Sequence, residues 1–220
     1  MKVTRAADLE AAAEQAADVL ARAIGAARAA RGAAHVALSG GSNVPPALAR
    51  LSTKLADWTG VHLWYGDERV VALDSPDSTH RLCSQYLDAP GASWHPVAVE
   101  LGPEGAAEAY ARELDATVLD VALQGLGPDG HTASLFPDHP QLHAEGVCVA
   151  VRNSPKPPPE RVTLTLSKLD ESRRIVLLVT GADKAGPLAR VLAGPDERVP
   201  ASLLERSRLE VIADEEALGG

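Results

Sequence analysis

Apolar residues recur along the chain in two patterns that alternate. An Ala-rich first segment has them at helical spacing, which predicts an amphipathic helix from about Ala6 to Ala30, ended by Gly32. Short apolar runs that stop at polar loops predict strands, the first three being His35 to Leu38, Val61 to Tyr65 and Val118 to Leu123. The chain therefore starts with a helix and then alternates between strands and helices.

The same alternation continues to the C-terminal end. Further strands are predicted at Val147–Val151, Val162–Leu166, Arg174–Thr180 and Leu209–Ala213. Further helices are predicted from Pro45 to about Ala56 and at Ser78–Leu87, Pro103–Asp115 and Lys184–Leu192. Strands joined through helices need crossover connections, so we predict an α/β fold with a mostly parallel, doubly wound sheet and helices on both faces. A length of 220 residues suits one such domain or at most two small ones, and we expect a single domain over residues 1–220.

Four polar loops begin at equivalent positions. Ser39, Gly66, Gly125 and Thr180 each stand where a predicted strand ends. The ligands of open α/β sheets bind outside the carboxyl ends of the strands. The four loops therefore predict one composite site at that edge of the sheet.

The first of these loops has the residues of an anion site. It reads Ser39, Gly40, Gly41, Ser42 and Asn43, between a strand and the start of a helix. Adjacent glycines let backbone N–H groups approach an anion, the hydroxyls add donors, and the helix N-terminus adds its dipole. A tight turn with a Ser or Asn helix cap is the alternative.

Three basic residues are candidate phosphate ligands. Lys156 lies in a Pro-rich loop, Arg161 follows that loop, and Lys184 opens a helix. A lone lysine is usually a solvated surface charge, whereas a cation beside glycines at a strand's carboxyl end favours phosphate binding. The run Asp67-Glu68-Arg69 is either a structural ion-pair cluster or part of the site.

The run from Gly125 to Gly130 matches the GxGxxG expression of dinucleotide-binding folds. The strand after such a motif should end in an acidic residue, whereas here it is followed by Arg152 and Asn153. Pro128 also stiffens the turn that would have to wrap a pyrophosphate. We therefore expect no nicotinamide or flavin cofactor.

Asp129 and His131 stand two residues apart on this turn. A carboxylate there can orient the imidazole while the other ring nitrogen faces a ligand, and imidazole is the usual general base near neutral pH. A loop histidine that only forms hydrogen bonds is the alternative. His139 and His143 could suggest a metal site, but nearby prolines break the helix that their spacing requires, so we expect no metal.

Composition excludes several partners. The net charge of −9 disfavours nucleic acid, whose phosphates attract basic surfaces. No run of 18 apolar residues exists, and acidic residues interrupt the first segment where a signal peptide would be apolar. We expect a cytoplasmic monomer with two reduced cysteines, Cys83 and Cys148, and no nucleic-acid or membrane partner.

Five motifs follow one another in the order seen in the 6-phosphogluconolactonases. They are Leu38-Ser39-Gly40-Gly41-Ser42, Gly66-Asp67-Glu68-Arg69, GLGPDGHTASLFP from Gly125 to Pro137, Ser154-Pro155-Lys156-Pro157-Pro158 with Arg161-Val162-Thr163-Leu164-Thr165, and Thr180-Gly181-Ala182-Asp183-Lys184-Ala185. Over nearly its whole length the chain resembles this family. The TASLFP continuation separates the lactonases from the related glucosamine-6-phosphate deaminases.

The resemblance implies a Rossmann-like fold and hydrolysis of 6-phospho-D-glucono-1,5-lactone to 6-phosphogluconate, the second step of the oxidative pentose phosphate pathway. It implies that His131 is the base, with Asp129 beside it, and that the Gly-Ser loop and Lys184 hold the substrate phosphate. Arg69 and Lys156 lie in family motifs and are expected at the substrate. No organic cofactor or metal is implied.

Two departures from the family pattern affect the expected contacts. Asn43 stands where many members have Thr, and Ser78-Thr79 stands where many have Ser-Asn. We expect Asn43 to change the geometry of the phosphate site without abolishing it. Two other functions remain open: a sugar-phosphate isomerase or deaminase with Asp67 as its base, and a sugar-phosphate-binding protein without catalysis.

Overall fold

A computed structural model describes all 220 residues as ten strands and six α-helices. The strands are β1 Lys2–Ala6, β2 Ala34–Leu38, β3 Val61–Tyr65, β4 Asp67–Arg69, β5 Ser93–Trp94, β6 Val121–Gly125, β7 Cys148–Val151, β8 Arg161–Leu164, β9 Ile175–Val179 and β10 Leu209–Asp214. The helices are α1 Leu9–Arg31, α2 Val44–Lys54, α3 Thr79–Tyr86, α4 Gly102–Leu114, α5 Leu166–Asp170 and α6 Ala185–Ala193. No helix has an apolar stretch long enough to cross a membrane.

Seven strands form one parallel sheet in the order β1-β10-β9-β6-β2-β3-β5. The central pairs are parallel, with Leu38 of β2 opposite Tyr65 of β3 and Gly125 of β6 opposite Leu178 of β9. The carboxyl ends of β9, β6, β2 and β3 therefore lie side by side at one edge. The predicted α/β fold with a mostly parallel sheet is confirmed.

A second sheet has three antiparallel strands in the order β4-β8-β7. Asp67 of β4 lies opposite Thr163 of β8, and Arg69 lies opposite Arg161. The sequence predicted β7 and β8 as strands but did not predict β4, whose three residues are all charged. This small sheet brings the Asp67 loop and the Pro-rich loop before β8 to the same region.

The first helix begins later than the sequence predicted. Ala6 is the last residue of β1, where it lies opposite Asp214, so the expected helix start at Ala6 was wrong. The side chain of Asp8 caps α1 by accepting a hydrogen bond from the Ala11 N–H at 2.8 Å. Gly32, at φ 79°, ends α1 in the left-handed conformation that glycine adopts without strain.

Apolar side chains form one core on each face of the large sheet. On one face, Leu38 and Leu63 of the strands pack with Leu20 of α1 and Leu48 of α2. On the other face, Trp64 belongs to a second cluster with residues of α4 and α6. Because both faces are covered, the central strands are apolar on both sides, and the only positions open to a ligand are their ends.

Three histidine rings lie against the amino-terminal half of β2 and β3, away from the carboxyl edge. The rings of His35 and His62 stack with centroids 4.6 Å apart, and His62 Nδ1 lies 3.0 Å from His95 Nε2. Trp64 donates its indole N–H to His35 Nδ1 at 3.1 Å. Burial lowers the pKa of His35 and of His62, and the neighbouring histidine lowers each further.

The free energy of unfolding is expected to fall as the pH drops below the ordinary histidine pKa of 6.5. The unfolded chain takes up protons on His35 and His62 there, while the folded protein keeps both neutral. This stabilisation is complete above that pKa and is lost as the pH falls towards the lowered, folded values. Urea unfolding at about pH 7.5 and about pH 5.5 measures the change.

Substitution of single histidines provides the control for this pH dependence. His62→Gln removes one titrating ring and should reduce the change in unfolding free energy between the two pH values. His143→Gln replaces an exposed histidine and should not alter that change. Equal unfolding free energies of the unsubstituted protein at both pH values would contradict the prediction.

Candidate active site

One cavity of about 240 Å³ opens at the carboxyl edge of β9, β6, β2 and β3. Pockets for drug-sized ligands usually measure ~300–1,000 Å³, so this volume favours one small ligand over a dinucleotide. The cavity is lined by nine of the residues predicted for the site, namely Ser39, Gly40, Gly41, Ser42, Asn43, Arg69, His131, Lys156 and Lys184. Residues of the loops that follow the predicted strand ends therefore line a single cavity.

The Gly-Ser loop leaves β2 and enters α2 along one wall of the cavity. Gly41, at φ 133°, adopts a conformation that residues with a side chain rarely take. The side-chain amide of Asn43 donates to the Thr180 carbonyl at 3.4 Å, and its oxygen accepts from the Ser42 hydroxyl at 3.1 Å. Asn43 thus ties the loop to the end of β9, which leads to Lys184.

Lys184 lies at the end of a short 3-10 helix, Ala182–Lys184, just before α6. Its ammonium contacts the Asp183 carboxylate at 2.8 Å, and its side chain is only 14% exposed. The residue reaches the cavity from the β9 side, while the Gly-Ser loop reaches it from the β2 side. Together they form a wall rich in hydrogen-bond donors and positive charge.

His131 faces the cavity from the turn that follows β6. Its Nδ1 is in close contact with Asp129 Oδ1, and the ring lies against the Phe136 ring with centroids 4.8 Å apart. Burial alone would raise the pKa of Asp129, but the hydrogen bond and charge of His131, with the charge of Lys156, hold that pKa well below its ordinary value. The ionised carboxylate can only accept, so in the neutral form of the His131 ring Nδ1 carries the proton and Nε2 keeps its lone pair.

Gly127 provides the space for the His131 ring. A Cβ at this position would lie 2.0 Å from His131 Nδ1 and 2.6 Å from Asp129 Oδ1. Any other residue at position 127 would therefore overlap the His131 ring where it contacts Asp129. The GxGxxG match needs no dinucleotide, because its second glycine makes room for a side chain of the same turn.

Lys156 and Arg161 reach the cavity from the small sheet. The Lys156 ammonium lies 3.5 Å from Asp129 Oδ2, which places it at the His131 end of the cavity. Arg161 is 4% exposed and lies 3.9 Å from Asp67 Oδ2. Asp67 accepts a hydrogen bond from the Ser134 hydroxyl at 2.6 Å, a contact between residues 67 apart that no local pattern predicts.

The three residues of the Asp67–Arg69 run divide between a structural role and a place at the cavity. The Glu68 carboxylate is fully buried at the start of α3, where it accepts hydrogen bonds from the backbone N–H groups of Thr79 and His80 at 2.6 and 2.8 Å. The Ser78 hydroxyl donates to it at 3.1 Å. Glu68 therefore has a structural role, whereas Asp67 and Arg69 line the cavity.

Thr79 does not face the cavity. Its side chain is fully buried, and a Cβ on Gly40 would lie 3.4 Å from its hydroxyl, so Thr79 packs beneath the Gly-Ser loop. Arg69 is fixed nearby by donating to the Asp77 carbonyl at 2.6 Å. Thr79, which stands where many family members have Asn, thus lies behind the wall of the cavity.

No group of three or more His, Cys, Asp or Glu side chains is arranged to hold a metal ion.

Comparison with known proteins gives a consistent result. Residues 7–213 match the family model described as glucosamine-6-phosphate isomerases/6-phosphogluconolactonase. The 6-phosphogluconolactonase of Mycobacterium tuberculosis is 41% identical over 201 residues, covering 82% of this chain and 81% of the relative. The 6-phosphogluconolactonase of Homo sapiens is 40% identical over 189 residues, covering 76% and 72%.

Solved structures agree with the sequence relatives. The crystal structure of a 6-phosphogluconolactonase from Shewanella baltica superposes with a TM-score of 0.89 at 28% identity, covering 97% of each chain. The family match, the identity to curated relatives and the shared fold extend over almost the whole chain. The protein therefore belongs to the glucosamine-6-phosphate isomerase/6-phosphogluconolactonase family.

Proposed function

We propose that this protein hydrolyses 6-phospho-D-glucono-1,5-lactone to 6-phosphogluconate, the second step of the oxidative pentose phosphate pathway. The observation that carries the proposal is that His131, bonded to Asp129 behind it, lines the same cavity as the Gly-Ser loop and Lys184. One end of the cavity can activate water and the other can hold a phosphate. The curated relatives named above carry the same activity in their names.

His131 acts as the general base in this reaction. With Nδ1 bonded to Asp129, Nε2 takes a proton from the water that attacks the lactone carbonyl. The same nitrogen then returns the proton to the ring oxygen as the ester bond breaks. Asp129 stays ionised throughout because its pKa is held low, and it stabilises the imidazolium that forms between the two steps.

The negative charge that develops on the carbonyl oxygen needs a donor or a cation. Two amides of the His131 turn are already engaged, since Gly127 N–H donates to the His131 carbonyl at 2.8 Å and Gly130 N–H to the Gly127 carbonyl at 2.9 Å. Lys156 is the cation in contact with the His131–Asp129 pair. We therefore assign stabilisation of the oxyanion to Lys156.

The phosphate binds at the other end of the cavity. The Gly-Ser loop, from Ser39 to Asn43, offers backbone N–H groups and a hydroxyl at the start of α2, and Lys184 adds a charge. Binding energy from this remote group positions the lactone over His131. Arg69 lines the same cavity, and a Cβ on Gly40 would lie 3.8 Å from its Nη2, so Arg69 contacts the substrate beside the Gly-Ser loop.

An isomerase or deaminase of the same family would need a carboxylate that removes a carbon-bound proton. Asp67 lines the cavity, but its Oδ2 accepts from Ser134 and lies near Arg161, so that oxygen is already engaged. This disfavours Asp67 as a proton acceptor. A single domain, a monomeric state and a cytoplasmic location stay predictions from the sequence.

The direct test compares the unsubstituted protein with His131→Ala in opening freshly prepared 6-phosphogluconolactone. Loss of a positioned base should lower kcat by about 10²–10⁴-fold. The rate is followed by acid release after subtraction of spontaneous hydrolysis, with EDTA present. Near-normal turnover by folded His131→Ala would refute the role of His131.

Two other outcomes would favour the alternative functions. Release of ammonia from glucosamine 6-phosphate, without lactone opening, would support a deaminase. Binding of 6-phosphogluconate without any turnover would support a non-catalytic sugar-phosphate-binding protein.

Gly127→Ala tests the geometry of the His131–Asp129 pair without changing a titratable group. The added methyl group overlaps the ends of two movable side chains, so the fold should survive while the His131 ring moves. A displacement of ~1 Å in an active site costs about 10²-fold in rate. Gly25→Ala, in α1 with open space around it, is the matched control. It should keep full activity and gain about 0.5–1 kcal/mol of stability.

Lys184→Met tests the phosphate end. A hydrogen bond to a charged group is worth ~1.5–3 kcal/mol, so KM for the phosphorylated lactone should rise about tenfold to a hundredfold. Unphosphorylated gluconolactone is the control substrate, and its slow hydrolysis should be the same in both proteins. Equal losses with both lactones would show that Lys184 does not bind the phosphate.

A further inference from the structure

Arg161 is a buried cation for which the proposed chemistry has no use. It is the first residue of β8, its side chain is 4% exposed, and the nearest carboxylate oxygen, on Asp67, is 3.9 Å away. Burying a charge without a close counter-ion is costly unless its hydrogen bonds are satisfied. The partners of the guanidinium therefore indicate what the residue does.

Most of those partners are carbonyl oxygens of the Pro-rich loop. Arg161 Nη2 donates to the carbonyls of Lys156 and Pro157 at 2.9 and 3.0 Å, and Nε donates to the Pro158 carbonyl at 3.1 Å. Its Nη1 lies 3.4 Å from the Ser134 hydroxyl oxygen. Three successive main-chain carbonyls thus converge on one side chain.

The Pro-rich loop has few main-chain donors with which to hold this shape. Residues 157–159 are all proline and have no N–H to donate. Apart from Arg161, three donors hold the loop. The Ser154 N–H donates to the Pro159 carbonyl at 2.9 Å, the Ser154 hydroxyl donates to the Lys156 carbonyl at 2.8 Å, and the Lys156 N–H donates to the Ser154 hydroxyl oxygen at 3.2 Å. The Arg161 guanidinium therefore makes half of these hydrogen bonds, and it is the only side chain outside the loop among their donors.

The loop carries Lys156, whose ammonium lies 3.5 Å from Asp129. We propose that Arg161 is a positioning residue that fixes the main chain of the Pro-rich loop and so keeps the charge of Lys156 beside Asp129 and His131. The proposal rests on the proposed function, since it assigns Arg161 an effect on turnover that passes through Lys156. It assigns Arg161 no contact with the reacting atoms.

A double-mutant cycle tests this route. Lys156→Met removes the charge and should lower kcat by about 10–10³-fold, the upper figure being that for loss of a complete oxyanion donor. Arg161→Lys keeps a positive charge but cannot reach three carbonyls. It should therefore lower kcat by no more than Lys156→Met does, and KM should change little. The protein with both substitutions should be no slower than Lys156→Met alone, because Arg161 then has nothing left to position.

The proposal would be overturned if the loss of kcat in the doubly substituted protein equalled the product of the losses in Lys156→Met and Arg161→Lys. That outcome would mean that Arg161 acts on the substrate itself, or on His131 through Phe136, whose ring centroid lies 5.5 Å from the guanidinium carbon. If Arg161→Lys does not fold, Ser154→Ala is the second variant, because it removes the hydroxyl that bonds the main chain of Lys156. Ser154→Ala should then lower kcat on its own but cause no further loss in the Lys156→Met protein.

Hydrogen exchange separates this inference from the proposed function. The amides of Ser154 and Lys156 are bonded within the loop and should exchange faster in Arg161→Lys, with helices α1 and α2 unchanged. Unchanged exchange at both amides overturns the positioning role whether or not the protein opens a lactone. Absence of lactone opening by the unsubstituted protein would instead overturn the proposed function.

Discussion

Main-chain hydrogen bonds between β9, β6, β2 and β3 hold four neighbouring strands parallel at the centre of the large sheet. Parallel pairing makes all four segments leave the sheet at the same edge, and both faces of the sheet are covered. Every loop that follows these strands must therefore end beside the others. The cavity exists because of this pairing, and the Gly-Ser loop, the His131 turn and Lys184 share it for the same reason.

The small antiparallel sheet adds what the parallel strands do not provide. Pairing of β4 with β8 carries Asp67 and Arg69 to the cavity from one segment and Arg161 from another. The Pro-rich loop before β8 then brings Lys156 to Asp129. The cavity thus has an imidazole with a carboxylate from the large sheet and a set of cations from the small one. The Lys156 and Asp129 side chains stay 37% and 34% exposed, so their opposite charges attract without the full cost of desolvation.

Sequence patterns predicted the buried strands well, because strands covered on both faces must be apolar throughout. Val61 to Tyr65 was predicted with the bounds that β3 has. Three strands were missed. Strands β1 and β4 are rich in charged residues, and β5 has only two residues; their extended conformation comes from pairing with β10, β8 and β3. Likewise, strand ends predicted residues that line the cavity but not the contacts between them. The Asp67–Ser134 hydrogen bond and the three carbonyls around Arg161 depend on segments that meet only in the folded chain.

The pairing of β1 with β10 has a consequence for how the protein is made. Lys2 of β1 lies opposite Glu210 of β10, so β1 can form its sheet hydrogen bonds only after β10 has been synthesised. During synthesis β1 remains an unpaired strand while every other element is added. The charges of Lys2 and Arg5 keep such a strand from pairing with other nascent chains. The ribosome must therefore deliver the chain as far as Asp214 before the sheet is complete.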